Sequence, residues 1–460
     1  MQGPDALNTI PLEVETMLVR KLTKFLSFIL VFSLALSITA CNSSKPESAV
    51  PAPNEKATLV FWHPNSFGDE EIKDEKEKRM EFFKKFQEEN NATINEVNQP
   101  DENYQELLKA ANMAHNGPDL FLSWAGAPTT DYSDYLVPLN KYLKDEDYKD
   151  HFGWELARKD FGQTGDVYGI PYLAYNQNCV YYNKPLFAKA GIAESSLPPQ
   201  TMEDLYKLCE QLKAKGIVPF VVGAKDGFIA QWAAGAFLGT MVGSDYGEML
   251  KPDFKFAGSP FEKALDIWAT LGRKGYINKD ALSISANDEM RNKFIAGSGA
   301  MMYGGDWEAA RIYDSLKDDV GVFMLPPADP GSPNGDYLYV GPGQNFCITN
   351  YSKNPDLSFK FIQLLNSREF NLMRLNTTSG AGIPNDTRIT EEDIAKSNLC
   401  PLIKTIINAT SKSRKVVIFD LWPTNVQSEC WRLGGPLTVG KISGKEVCAA
   451  MDKEMAKSSR

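Results

Sequence analysis

Histidine is nearly absent: the 460 residues hold three, His63, His115 and His151. They are far apart, which argues against a histidine-based zinc site. Seven cysteines occur, none in a C-x-x-C or other metal-ligand spacing. Excess positive charge is lacking too. Lys and Arg total 49 against 59 Asp and Glu, a formal charge of −10, which excludes a nucleic-acid surface and leaves weak attraction to anionic lipid. No G-x-S-x-G elbow and no H-E-x-x-H motif occurs. Gly435–Lys441 approaches a phosphate-binding loop, but Ile442 stands where Ser or Thr should hold Mg²⁺. Acid pairs such as Glu70–Glu71 and Asp131/Asp134 are ordinary surface features and establish no glycosidase dyad. No internal repeat is visible, and no apolar run is long enough to cross a bilayer.

What is present begins at the N-terminus. Arg20, Lys21 and Lys24 precede an apolar stretch, Phe25 to Ile38, of signal-peptide length. It ends Leu36–Ser37–Ile38–Thr39–Ala40–Cys41, which resembles a bacterial lipobox. That resemblance implies a lipoprotein signal peptide over 1–40, diacylglycerol on Cys41 and cleavage before it. Met17 reads as a natural start, leaving 1–16 without a structural role. Residues 41–55 are polar, small and Pro-containing, a flexible tether. The expectation is a body held on the extracytoplasmic face of the cell membrane by a lipidated end. Of the other cysteines, Cys179 and Cys347 lie in apolar strand-like runs and read as buried thiols. Export permits a disulfide, and Cys430 with Cys400 or with Cys448 stays open.

The body is ordinary in composition, 43% hydrophobic and 23% charged, with 8 Trp, 18 Tyr and 25 Phe. Its length suits two or more domains. Strands are expected at 58–62, 93–97, 119–124, 179–182 and 217–222. Helices are expected over 70–90, 104–115, 202–215 and 261–271, and from Pro355 onward. Thr201 reads as an N-cap with Asp204 three residues on. Trp268 falls on the apolar face of its helix and reads as core. Tyr181 and Tyr182 point to opposite faces of a strand. Alternation of strands and helices predicts α/β units with parallel sheet, and a break near 172–176 separates two of them.

Several stretches share one likeness. "YGIPYLAYNQNCVYYNKPLFAKAGIAESSLPPQTMEDLYKLCEQLKAKG" (168–216), "FIAGSGAMMYGGDW" (294–307), "VGPGQNFCITNYSKNPDLSFKFIQLLNSREF" (340–370) and "GGPLTVGKISGKEVCAAMDKEM" (434–455) resemble the extracellular solute-binding proteins of carbohydrate ABC transporters. The resemblance covers essentially 56–460. It implies a two-lobe, periplasmic-binding-protein-like α/β fold of type II, each lobe a sheet flanked by helices, with a ligand cleft at the hinge. Lobe one would be 56–171 plus 346–396, and lobe two 176–340 plus 400–460. Crossings would lie near 172–175, 341–345 and 397–399. Many members have G-P-W where this chain has Gly305–Asp306–Trp307, and often an acidic or polar pair where it has Tyr175–Asn178. These departures bear on which sugar is bound.

A sugar offers polar hydroxyl rims and apolar C–H faces, so aromatic planes and Asp, Asn or Gln side chains recognise it together. By position in the family pattern, Gly305, Asp306 and Trp307 are expected at the ligand, with the glycines letting the loop approach it. His63 and Asn65 end the first strand, where open α/β sheets bind ligands, and Trp124 ends the third. Tyr175 and Asn176 follow the first crossing; Gln344 and Asn345 lie on the second. Asp226, Phe228 and Trp232 are expected in the loop after strand 217–222, and Trp422 in a Pro-containing loop.

The resulting expectation is a lipid-anchored, monomeric receptor that binds a mono- or oligosaccharide and delivers it to membrane permease subunits. It would need no cofactor or metal, bind no nucleic acid and perform no covalent chemistry. A ligand sensor for a signalling partner and a surface glycoside hydrolase are the alternatives.

Overall fold

The computed structural model describes residues 56–64, 67, 73–100, 103–159, 165–377, 383, 385–417 and 421–458. The signal peptide, the tether, Cys41 and Asn65 lie outside these residues.

The first strand, β1 (Ala57–Pro64), buries Leu59, Phe61 and His63, every second residue, as a half-covered strand requires. It lies parallel to β2 (Ala92–Gln99) and to β3 (Leu120–Trp124). Helices Lys73–Glu89 and Tyr104–Ala114 make the crossovers. The parallel reading holds for these strands, but the sheet is mixed. Its order, β2-β1-β3-β11-β4, brings in β4 (Ile170–Pro171) and β11 (Gln344–Ile348), with β11 antiparallel to both neighbours. Phe61, Phe83 and Phe361 pack edge to face at its core.

A second sheet runs β7-β8-β6-β9, from β6 (Cys179–Asn183), β7 (Phe220–Val221), β8 (Met301–Gly304) and β9 (Val320–Met324). Strand β7 is shorter than the expected 217–222, because Pro219 has no N–H for the ladder. Thr201 caps helix Met202–Ala214, accepting from the Asp204 N–H at 3.1 Å, and Met202, Leu205, Leu208 and Leu212 are buried. Trp268 is fully buried, its indole N–H donating to Thr438 Oγ1 at 2.9 Å. The six described cysteines are free thiols.

Between the sheets, β5 (Ala174–Asn176) runs antiparallel to β10 (Tyr337–Pro342), which pairs on its other side with β12 (Arg414–Val416). The chain leaves the first sheet through β4 into β5 and returns along β10 into β11. The two connections therefore form one ladder. Gly343 ties it to the first sheet, its N–H donating to Leu173 O and its carbonyl accepting from Ala125 N–H.

Candidate ligand site

Strand β8 ends at Gly304 and turns through Gly305–Asp306–Trp307 into helix Ala309–Leu316. The Trp307 indole is half-buried and folds back over Gly305. A Cβ on Gly305 would lie 2.0–2.3 Å from three of its ring carbons. The glycine therefore seats the protein's own indole, where the sequence suggested room for a ligand. Its carbonyl is also occupied, accepting from the Tyr181 hydroxyl at 2.7 Å.

Trp307 stands nearly perpendicular to two further rings, Tyr175 at 5.3 Å and Trp232 at 5.2 Å between centroids. Phe228 follows at 4.5 Å from Trp232. All four are half-buried. Phe228 and Trp232 sit on the first turn and a half of helix Phe228–Val242, not in the expected loop. That helix is apolar all round, so it lacks the periodicity that marks a surface helix. Asp226 is exposed just before it and accepts from the Ala286 N–H at 3.1 Å. From the same 286–287 turn, Asn287 Oδ1 accepts from the Trp307 indole N–H at 3.3 Å. Asn287 has no sequence signal for this role; its partner is 20 positions away.

On the other side, Tyr175 lies on Gly343, where a Cβ would come within 1.9 Å of its ring. Gly343 is bonded to Ala125, next to Trp124, which is half-buried and 5.7 Å edge-on from Tyr104. Trp62 and Tyr168 pack against the same buried cluster as Trp124. A continuous set of neighbours thus links Trp124 through Gly343 and Tyr175 to Trp307, Trp232 and Phe228.

Other expected residues are turned away. His63 is buried between Phe61 and Phe67, with Nε2 3.0 Å from Glu96 Oε1. Strand alternation puts Trp62, not His63, on the opposite face. Asn176 is fully buried and its amide is spent. Nδ2 donates to Thr410 Oγ1 at 2.8 Å, and Oδ1 accepts from the backbone and side chain of Asn178. Gln344 and Asn345 are likewise buried in β11, and Asn345 Nδ2 donates to Thr129 Oγ1 and Leu156 O. Trp422 is core: it is 0% exposed, edge-on to Phe256 and Phe261, and its N–H donates to Met249 O at 3.0 Å.

Asp306 is buried beneath the corner, and burial pushes its carboxyl up to about 7. Behind Trp307, the Glu308 carboxyl is raised by burial although the Arg291 guanidinium, 2.7 Å away, opposes the shift. Among the described residues no three His, Cys, Asp or Glu side chains are grouped to hold a metal ion. Nor is any helix among them long and apolar enough to cross a membrane.

Half-buried aromatic planes with a neighbouring exposed carboxylate suit an uncharged ligand with apolar faces and hydroxyl edges. Comparison with known proteins gives the fold and the family. The chain is 26% identical over 346 residues to the maltodextrin-binding protein MdxE of Bacillus subtilis, covering 72% of this chain and 73% of that one. A chitin oligosaccharide binding protein superposes with a TM-score of 0.73 at 24% identity, over 87% of this chain and 98% of its own. The GacH receptor of Streptomyces glaucescens, solved unliganded and with acarbose, gives 0.67 at 20% identity, over 88% and 98%. These likenesses show the fold, two α/β lobes with sheets flanked by helices. Residues 81–401 match the family as a whole, and the chain belongs to the bacterial extracellular solute-binding proteins.

Proposed function

We infer that this protein is the sugar-binding component of an ABC transporter, a receptor and not an enzyme. It holds a mono- or oligosaccharide at the corner of Tyr175, Trp232 and Trp307. The observation that carries this reading is the corner itself. Three rings stand at steep angles to one another, a carboxylate stands exposed nearby, and the ladder between the sheets runs underneath. Phe228 and Asp226 flank the rings, and Trp124 extends the surface toward the first sheet. The rings stack on sugar C–H faces while Asp226 accepts from hydroxyls. Relatives named for maltodextrin and for chitin oligosaccharide support the class.

The lobes are taken as 56–171 plus 346–396 and 176–340 plus 400–460, with crossings near 172–175, 341–345 and 397–399. Closure about these crossings buries the ligand, and the closed form docks on permease subunits. The lipobox supports anchoring through Cys41 on the outer face of the membrane, with the receptor acting as a monomer. The test is calorimetric titration of maltotriose, xylotriose, chitotriose and their monosaccharides. Tight binding of one without turnover is expected. Hydrolysis of a labelled oligosaccharide, or no binding across a broad neutral-sugar panel, overturns the reading.

A further inference from the structure

Most buried charge among the described residues is answered by opposite charge. Under β1, Arg79 pairs with Glu75 at 3.5 Å and with Glu96; behind the corner, Arg291 meets Glu308. Asp306 differs. It is 1% exposed; Oδ1 accepts from the Asn176 N–H at 2.8 Å, and Oδ2 is buried without a hydrogen bond.

The titratable groups around it bring no cation. From β6 come the Cys179 thiol and the Tyr181 phenol, each held up by burial and also by Asp306. Its own turn carries Glu308, whose charge Arg291 takes up. Helix Pro401–Ser411 contributes Thr410, which is neutral, and the Cys400 thiol precedes it. From β5 comes only the Asn176 amide. The amides of Asn176, Asp306 and Ile383 favour the carboxylate, but burial outweighs them.

Position gives this carboxyl its leverage. Asp306 bonds the backbone of Asn176, and its neighbour Trp307 packs on the ring of Tyr175. Two consecutive residues of the β8 turn thus grip two consecutive residues of the first connection. An ionised carboxylate here needs water or a cation, and neither stands at the buried Oδ2 while that grip is closed. We propose that Asp306 is a positioning residue: in its neutral form it holds the Trp307 turn against the first connection, and losing its proton loosens the aromatic corner. The proposal rests on the reading of that corner as the ligand site. It follows that, at a pH where ligand-free protein has lost this proton, closing around a sugar takes it up again.

The test has two arms. In the first, tryptophan emission of ligand-free protein is followed from pH 4.5 to 8.5 in wild type, Asp306→Asn and Asp306→Ser. A transition between about pH 4 and 7, the span from an ordinary to a buried carboxyl, is expected in wild type and lost in both variants. No transition in wild type, or an unchanged one in a folded variant, overturns the proposal; if neither variant folds, the wild-type result decides. In the second arm, the dissociation constants of maltotriose, xylotriose and chitotriose are measured across the same range. For one proton the affinity falls by up to about tenfold per pH unit as pH rises, and it is flat in Asp306→Asn. Binding with no such slope overturns the proposal and leaves the sugar-receptor reading standing. An Asp306-dependent emission change with no sugar bound supports the proposal and rejects the ligand class.

Discussion

The Thr424 hydroxyl donates to Oδ2 of Asp131 at 2.6 Å, joining residues 293 positions apart. Asp131 follows helix Ala127–Thr130 beyond β3, and Thr424 opens helix Thr424–Thr438. A carboxylate at a helix N-terminus is favoured by the exposed N–H groups there. With the lobes as proposed, the pair joins elements that hinge opening would separate. Thr424→Val should therefore weaken sugar binding about two- to tenfold, the worth of one exposed hydrogen bond. Calorimetry reads the loss, and small-angle scattering should show a larger radius of gyration at subsaturating ligand. Unchanged affinity and scattering would remove the pair from the closing mechanism.

Removing the Trp307 indole deletes the ring between Tyr175 and Trp232. Trp307→Ala should weaken binding about 10- to 1,000-fold, from lost stacking and lost apolar burial together. The ring is half-buried, so the apo protein should lose less stability than a core tryptophan would cost. A denaturant titration beside the calorimetry separates these effects.

Trp422→Ala makes the opposite expectation. Its ring is enclosed by Phe256 and Phe261, so unfolding free energy should drop by about 3–5 kcal/mol. The affinity of the folded fraction should hold. Preserved stability with lost affinity would return Trp422 to the ligand site.

Gly305→Ala tests the seat of the indole. Gly305 has φ −104°, which alanine adopts freely, and the nearest atoms a Cβ would meet are those of the ring, which must yield. Affinity should fall about tenfold or more while circular dichroism stays native. A wild-type dissociation constant would mean the indole can shift at no cost to binding.

Stability should also depend on pH through Asp306. Its folded value of about 7 lies above the unfolded value of about 3.9. The sign follows: its contribution is complete below about pH 4 and is lost as pH rises to about 7. The span corresponds to a few kcal/mol, at about 1.4 kcal/mol per pKa unit. Asp306→Asn should flatten this part of the urea-unfolding profile; an identical profile would place the pH dependence elsewhere.

Local signals read well from the sequence. The Thr201 cap, the apolar face of helix Met202–Ala214 and the buried Trp268 depend on neighbours within one or two helical turns. Trp307 is marked by its place in a family pattern, Tyr175 by following the first crossing and Trp232 by following the strand expected at 217–222. Orientation was not. His63 and Trp62 are adjacent in β1, and which one turns inward depends on pairing with β2 and β3. Asn176 looked available because Thr410 and Asp306, which consume its polar groups, lie 234 and 130 residues away. Trp422 misled for the same reason: its Pro-containing surroundings say loop, while Phe256 and Phe261 bury the ring from a distant segment.

Gly305 and Gly343 each bear an aromatic ring so closely that no Cβ fits beneath it. Each glycine and its ring are therefore one heritable unit. Bulk at 305 displaces tryptophan at 307 from its seat, and bulk at 343 displaces tyrosine at 175. Across descendants these positions should change in pairs, a larger residue arriving only where the ring has shrunk. Outward-facing residues such as Asp226 carry no such constraint and can drift singly. Preference among sugars can then diverge quickly at the rim while the corner beneath it persists.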